Sequence, residues 1–124
     1  MNLTRLAYDQ HPRPPQRDLR QRAVFDSEIH LIGRVAHIYV DEDRTFRFLA
    51  VATGRGLMFF LPKQYLVPVE AIAEEDFDSI TLKVDRQTVE SAPTFFGDPQ
   101  DAPDEGLQRA TREHFGLGVV PSEP

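Results

Sequence analysis

Ile80-Thr81-Leu82-Lys83-Val84 sets an apolar side chain at every second position, with Thr81 and Lys83 between them. Successive side chains of a strand point to opposite faces, so this stretch predicts a β-strand turning Ile80, Leu82 and Val84 to a core and the other two to water. Upstream, short β-branched and aromatic runs divided by charged or glycine-containing turns extend back to Arg22. They predict strands near 22–26, 34–41, 46–53, 57–61 and 66–70, ahead of the strand at 79–84, and make the chain mainly β. Asp41-Glu42-Asp43-Arg44, between the second and third strands, is charged throughout and reads as a solvated hairpin turn. It has neither the spacing nor the glycine and terminal Glu of a calcium loop.

Leu57-Met58-Phe59-Phe60-Leu61 is apolar at every position. In a strand, Leu57, Phe59 and Leu61 cannot share an interior with Met58 and Phe60, so one set lies outside and calls for cover. Met58, Phe60, Phe95, Phe96, Leu107 and Phe115 are therefore the candidate interface residues.

The two ends differ from this middle. Residues 1–21 read as an extended Arg/Pro-rich arm, 22–96 as the strand-rich domain and 97–124 as a tail. The three prolines within 9–18 favour a solvated, polyproline-like strap. Leu3, Leu6 and Tyr8 could dock, but the arm as a whole is expected to add little to folding. After the last strand, Asp85 is placed to cap a short helical turn through Glu90, which Pro93 closes. Near 104–115 an amphipathic helix is predicted, with Leu107, Ala110, His114 and Phe115 on one side and Gly116 as its stop. Asp104 and Glu105 at its start, and Arg109, Arg112 and His114 toward its end, complement the helix dipole.

The length of 124 residues fits one compact core with extensions. Without cysteine, disulfides, thiolate nucleophiles and Cys-based zinc or iron–sulfur sites are excluded. No stretch approaches the roughly 18 apolar residues of a membrane helix, and no signal-peptide core is present, so a soluble, cytoplasmic protein is expected. The net charge of −6 is uneven: residues 1–22 hold five arginines against Asp9 and Asp18, a balance of +3 that leaves −9 on the rest. A negatively charged body repels phosphate backbones, so nucleic-acid binding would rest on the arm alone and is disfavoured.

Ile32-Gly33-Arg34-Val35, Ile38-Tyr39-Val40-Asp41 and Arg47-Phe48-Leu49-Ala50-Val51 resemble the PRC-barrel pattern of a glycine-started strand, an aromatic-centred turn ending in Asp and an Arg-aromatic-Leu strand. Leu66-Val67-Pro68-Val69-Glu70-Ala71-Ile72 is similar to that family's next segment, and Ile80 to Pro93 to its last strand and capped turn. The resemblance covers roughly 22–95 and implies a small antiparallel PRC-type β-barrel. Relatives include the cytoplasmic domain of the photosynthetic reaction-centre H subunit, the C-terminal domain of a ribosome-maturation factor and free-standing bacterial proteins, with protein–protein contact as their common theme. This chain is most similar in kind to a stand-alone member, and the tail segment Arg112-Glu113-His114-Phe115-Gly116 loosely resembles the one after the barrel in H-subunit-like members.

His11, His30, His37 and His114 form no H-x-x-x-H pair, so structural roles are expected and no metal is assigned. Ser27, Ser79, Ser91 and Ser122 lack a nucleophile-elbow context, and Gly54-Arg55-Gly56 is too short to cradle a phosphate. Glu74-Glu75-Asp76-Phe77-Asp78 reads as an exposed acidic turn rather than a catalytic carboxylate pair. No cofactor and no catalytic residue are expected. The reading is a non-enzymatic interaction or scaffolding module that self-associates, a dimer being favoured. The alternative is an RNA- or ribosome-associated factor using the Arg-rich arm.

Overall fold

The computed structural model describes residues 2–7, 9–11, 17–53, 64–93 and 102–117. Seven strands form one sheet: β1 (Thr4–Arg5), β2 (Ala23–Phe25), β3 (Leu31–Val40), β4 (Phe46–Ala52), β5 (Gln64–Pro68), β6 (Ile72–Glu75) and β7 (Ser79–Leu82). Two α-helices lie among the described residues, α1 (Arg86–Glu90) and α2 (Glu105–His114). None of the described helices is long and apolar enough to cross a membrane.

The ten-residue β3 is the spine. One of its edges pairs with β4, from Arg34↔Ala52 to Val40↔Phe46. Two strands share the other edge: β2 takes the first part (Ala23↔Arg34) and β1 the last (Thr4↔Val40, Arg5↔Tyr39). The path runs β5-β4-β3-β2-β7-β6, and its end strands are not paired with each other among the described residues. They are joined by a single 3-10 turn at Val69–Ala71.

The sheet is mixed rather than antiparallel throughout, because β2 and β7 run parallel (Val24↔Ile80). These strands are far apart in sequence, so no tight hairpin fixes their direction. β6 also departs from expectation: Glu74 and Glu75 lie in an edge strand, not a turn. Charged side chains are usual on such an edge because they discourage further strand pairing. The strand expected at 66–70 begins earlier, at Gln64, and Pro68 ends it. The strand expected at 57–61 lies outside the described residues.

Ile80 and Leu82 enter the core as their alternation requires, while Val84 lies just past β7 and packs half-buried against it. Two apolar clusters sandwich β4. Leu49 and Val51 join the main cluster with Val24, Val35 and Val67. Phe48 faces the other way with Ala50, Tyr39 and Leu66, and Leu3, Ala102 and Leu107 cover this second cluster. Burying such large side chains is worth about 1.5–3 kcal/mol each, so a strand apolar on both faces favours cover on both. The arm and the tail helix supply it.

The arm is therefore part of the fold. Leu6 and Leu19 are buried in the main cluster, and Leu6 N donates to Ile38 O at 2.8 Å. α2 differs in another respect: Ala110 is exposed, and the buried residues of the helix are Gln108, Thr111 and Arg112. Gln108 donates to Pro103 O at 3.0 Å and Arg112 pairs with Glu70 at 2.9 Å, which satisfies two of these polar groups. The predicted cap at Asp85 forms, its carboxylate accepting from Thr88 N, and Asp104, expected only to complement the helix dipole, also caps α2 by accepting from Leu107 N. Gly116 ends α2 at φ 76°, a left-handed conformation that favours glycine.

Gly33 faces the end of β4 closely: a Cβ built there would run into the backbone carbonyl of Ala52. The obstacle is backbone, so it cannot rotate away. Gly33→Ala is expected to lower stability by about 3 kcal/mol or more, as overpacking against a fixed partner does. Chemical denaturation checks this, and a loss below about 1 kcal/mol would mean the two strands can separate freely.

Candidate functional site

Of the six candidate interface residues, Met58, Phe60, Phe95 and Phe96 lie outside the described residues. Leu107 and Phe115 are half-buried against their own chain, Leu107 on the second cluster and Phe115 on the main one. The structure thus does not bring these two together on an outer surface. Among the described residues, the large apolar side chains that face water are others: Ile29 at 66%, Leu31 at 57% and Phe77 at 94% exposure.

Ile29 lies in the β2–β3 connection and Leu31 is the first residue of β3; the anchor of this connection is Asp26. This carboxylate is fully buried. Its Oδ1 accepts from Glu28 N at 2.9 Å and His30 N at 2.8 Å, and its Oδ2 accepts from Arg86 N at 2.9 Å and meets His30 Nδ1 at 3.3 Å. Burial pushes the Asp26 carboxyl up, but the amides of His30, Glu28 and Arg86 and the His30 imidazole outweigh it, so it stays below the ordinary carboxylate value. The possible ligand atoms of Asp26, Glu28 and His30 lie within 4.8 Å of one another. Since four donors already engage Asp26, its geometry serves the loop. The same loop holds Ile29 at φ 65°, a left-handed conformation unusual for a β-branched residue.

Asp41 organises the next hairpin in the same way, accepting from Asp43 N, Thr45 N and Arg47 Nε at 2.9, 3.0 and 2.8 Å. The charged turn is a solvated hairpin, as its composition predicts.

Between the arm and β3 lies a cleft of about 760 Å³. Ala36 and His37 of β3 line it together with Arg5, Leu6 and Gln21 from the arm side. Its Arg20 is a clamp: the guanidinium binds Asp18 at 2.7 Å and also donates to the carbonyls of Ala7 and Gln10. Hydrogen bonds from Arg20 hold the Asp18 carboxyl below its usual value. Burial, with the charges of Arg5 and Arg20, pushes the His37 imidazole down. The Arg5 side chain makes no hydrogen bond or ion pair among the described residues. Asp9 and His11 complete the charged lining.

The β6–β7 hairpin borders β2. Glu74, Glu75, Asp76, Phe77 and Asp78 are all exposed. Its tip is fixed: Asp76 N donates to Ser79 O at 2.8 Å, Ala23 N to Asp78 O at 3.1 Å and the Arg22 guanidinium to Asp76 O at 2.6 Å. Sequence reading took this stretch as an acidic turn and passed over its aromatic centre. The available signal was Phe77 itself, since flanking aspartates on both sides leave a phenylalanine little chance of burial.

Among known proteins, one family model matches: PRC-barrel domain, over residues 15–90. No curated protein matches the chain.

Proposed function

The chain belongs to the PRC-barrel family, and on that premise we propose that it is a non-catalytic protein–protein interaction module that self-associates. One observation carries this reading: Ile29, Leu31 and Phe77 are held in water on, or directly beside, connections that hydrogen bonds keep in shape. Preorganised apolar side chains lose little freedom when a partner covers them, so their exposure favours binding. The buried carboxylate Asp26, in contrast, is engaged by its own chain and offers no base for chemistry. Barrel closure is part of the same reading, supported by the short turn that links the sheet's two end strands.

Protein is favoured over nucleic acid as the partner. Arg20 of the arm and Arg22 just after it grip carbonyls of their own chain, and residues 23–124 carry −9. Photo-crosslinking from a benzophenone amino acid placed at Leu31 and, separately, at Phe77 tests the module in extract of its native cell. A reproducible protein adduct, to another copy or to a different chain, is expected from at least one position. Absence of any adduct from both positions, in extract and in concentrated pure protein, would overturn the reading.

A further inference from the structure

Beyond the interaction-module reading, and independently of it, we infer that the N-terminal arm is a proton-sensitive strap, held on β3 while His37 is neutral and loosened as His37 takes up a proton. The outer edge of β3 changes partners at this residue. It pairs with β2 through Arg34, and Gln21 N then donates to Val35 O at 2.8 Å. From there the arm takes over, with Leu6 N donating to Ile38 O at 2.8 Å and Arg5 opposite Tyr39. On the β4 side the register slips between Val35 and His37, a bulge of the kind that re-aims a side chain. His37 lines the cleft between β3 and the arm at this change-over.

The surroundings of this imidazole favour its neutral form. It is half-buried and makes no hydrogen bond or ion pair among the described residues, so none of them is placed to accept the proton of a charged ring. Burial weighs most against the charged form, and the charges of Arg5 and Arg20 add repulsion. The carboxylates of the cleft do not offset this. Asp18 is engaged by Arg20 at 2.7 Å, with His11 3.6 Å away, and Asp9 is exposed. Ala50, opposite His37 on β4, carries no charge. His11 acts in the reverse sense, because its protonation strengthens its pairing with Asp18, but exposed ion pairs are worth little.

Lifting the arm removes Arg5 and admits water, which returns the imidazole to its ordinary value of about 6.5. The closed arm thus binds fewer protons than the open one. The strap is tightest above about pH 6.5 and weakens as pH falls from there toward the lowered value of the closed state. Each unit of that lowering raises the open-to-closed ratio by up to about tenfold. Opening stays a minority event, because Leu6 leaves the main cluster with the arm, and acid changes how often it happens. An open arm frees Ile38 O on a strand edge, the kind of acceptor with which another chain's strand can pair.

Hydrogen exchange of the Leu6 amide in the full chain, followed by NMR and corrected for the intrinsic pH dependence of exchange, reads the opening. Leu6 is expected to exchange faster than the core amides of Val51 and Ile80, and its protection to fall at least about threefold from roughly pH 7.5 to 5.5. His37→Gln is expected to hold that protection constant over the same range, and His11→Gln to leave the fall in place. The ring-proton shift of His37 is expected to titrate with a midpoint below about 6.5 that rises in Arg5→Gln, a comparison that stands even where His37→Gln fails to fold. A Leu6 amide that exchanges only with the core, a protection indifferent to pH, an equal fall in His37→Gln, a fall abolished by His11→Gln or a midpoint unmoved by Arg5→Gln overturns the inference. None of these results bears on the crosslinks from Leu31 and Phe77, so strap and module stand or fall separately.

Discussion

Deleting residues 1–11 is expected to lower the melting temperature by roughly 10 °C or more, although a proline-rich, charged terminus would ordinarily be dispensable. The deletion removes β1, and with it the pairing of Thr4 and Arg5 to the far half of β3. It also removes Leu6, 4% exposed in the main cluster, and Leu3 from the cover over Tyr39 and Phe48. Truncating one buried leucine to alanine costs about 2–5 kcal/mol, and in a domain of this size 1 kcal/mol shifts melting by roughly 2–8 °C. The loss extends further, because Arg20 would lose the carbonyls of Ala7 and Gln10 that it now holds. Leu6→Ala and Leu19→Ala should each reproduce a substantial part of the effect. Differential scanning calorimetry provides the readout. A deletion that melts within about 2 °C of the full chain would mean that the arm rests on the sheet without stabilising it.

The arm also marks where local pattern stops informing. The strands carrying Ile80, Leu82, Leu49 and Val51 were legible because their apolar residues recur at a spacing that backbone geometry imposes. The same holds for the cap at Asp85, which precedes its helix by a rule that involves only its immediate neighbours. Leu3, Leu6 and Leu19 are separated by prolines and charges, and nothing near them in sequence predicts that β3 supplies the surface they cover. β6 was hidden because its exposed edge carries Glu74 and Glu75, which read as a turn. The buried face of α2 was missed for a related reason. Gln108 and Arg112 are polar, and only the positions of Pro103 O and Glu70 make their burial affordable. As for the candidate site, the sequence directed attention to apolar runs, whereas the exposed apolar side chains of the structure are single residues in polar surroundings.

Asp26 gives the second large effect. Asp26→Ala is expected to destabilise the chain by about 3–5 kcal/mol, since it leaves the amides of Glu28, His30 and Arg86 without their acceptor in a buried place. Asp26→Asn tests the role of charge. Its oxygen can still accept from Glu28 N and His30 N, but its NH₂ would face the Arg86 amide, donor against donor. The pH dependence separates the contributions. Because the folded carboxyl titrates below its ordinary value, its stabilisation is complete above the unfolded value of about 3.9 and is lost as pH falls through the folded one. Urea unfolding of the wild type and Asp26→Asn should therefore give a constant gap between about pH 5 and 7 that narrows below about pH 4. Asp18 and Asp41 are also held low, so the wild type loses further stability with acid, but both proteins share that loss and the gap isolates Asp26. A gap that stays constant down to pH 3 would show that the hydrogen-bond geometry, and not the charge, is what the loop requires. A variant as stable as the wild type at pH 7 would remove Asp26 as the anchor of the loop that holds Ile29 and Leu31 in water.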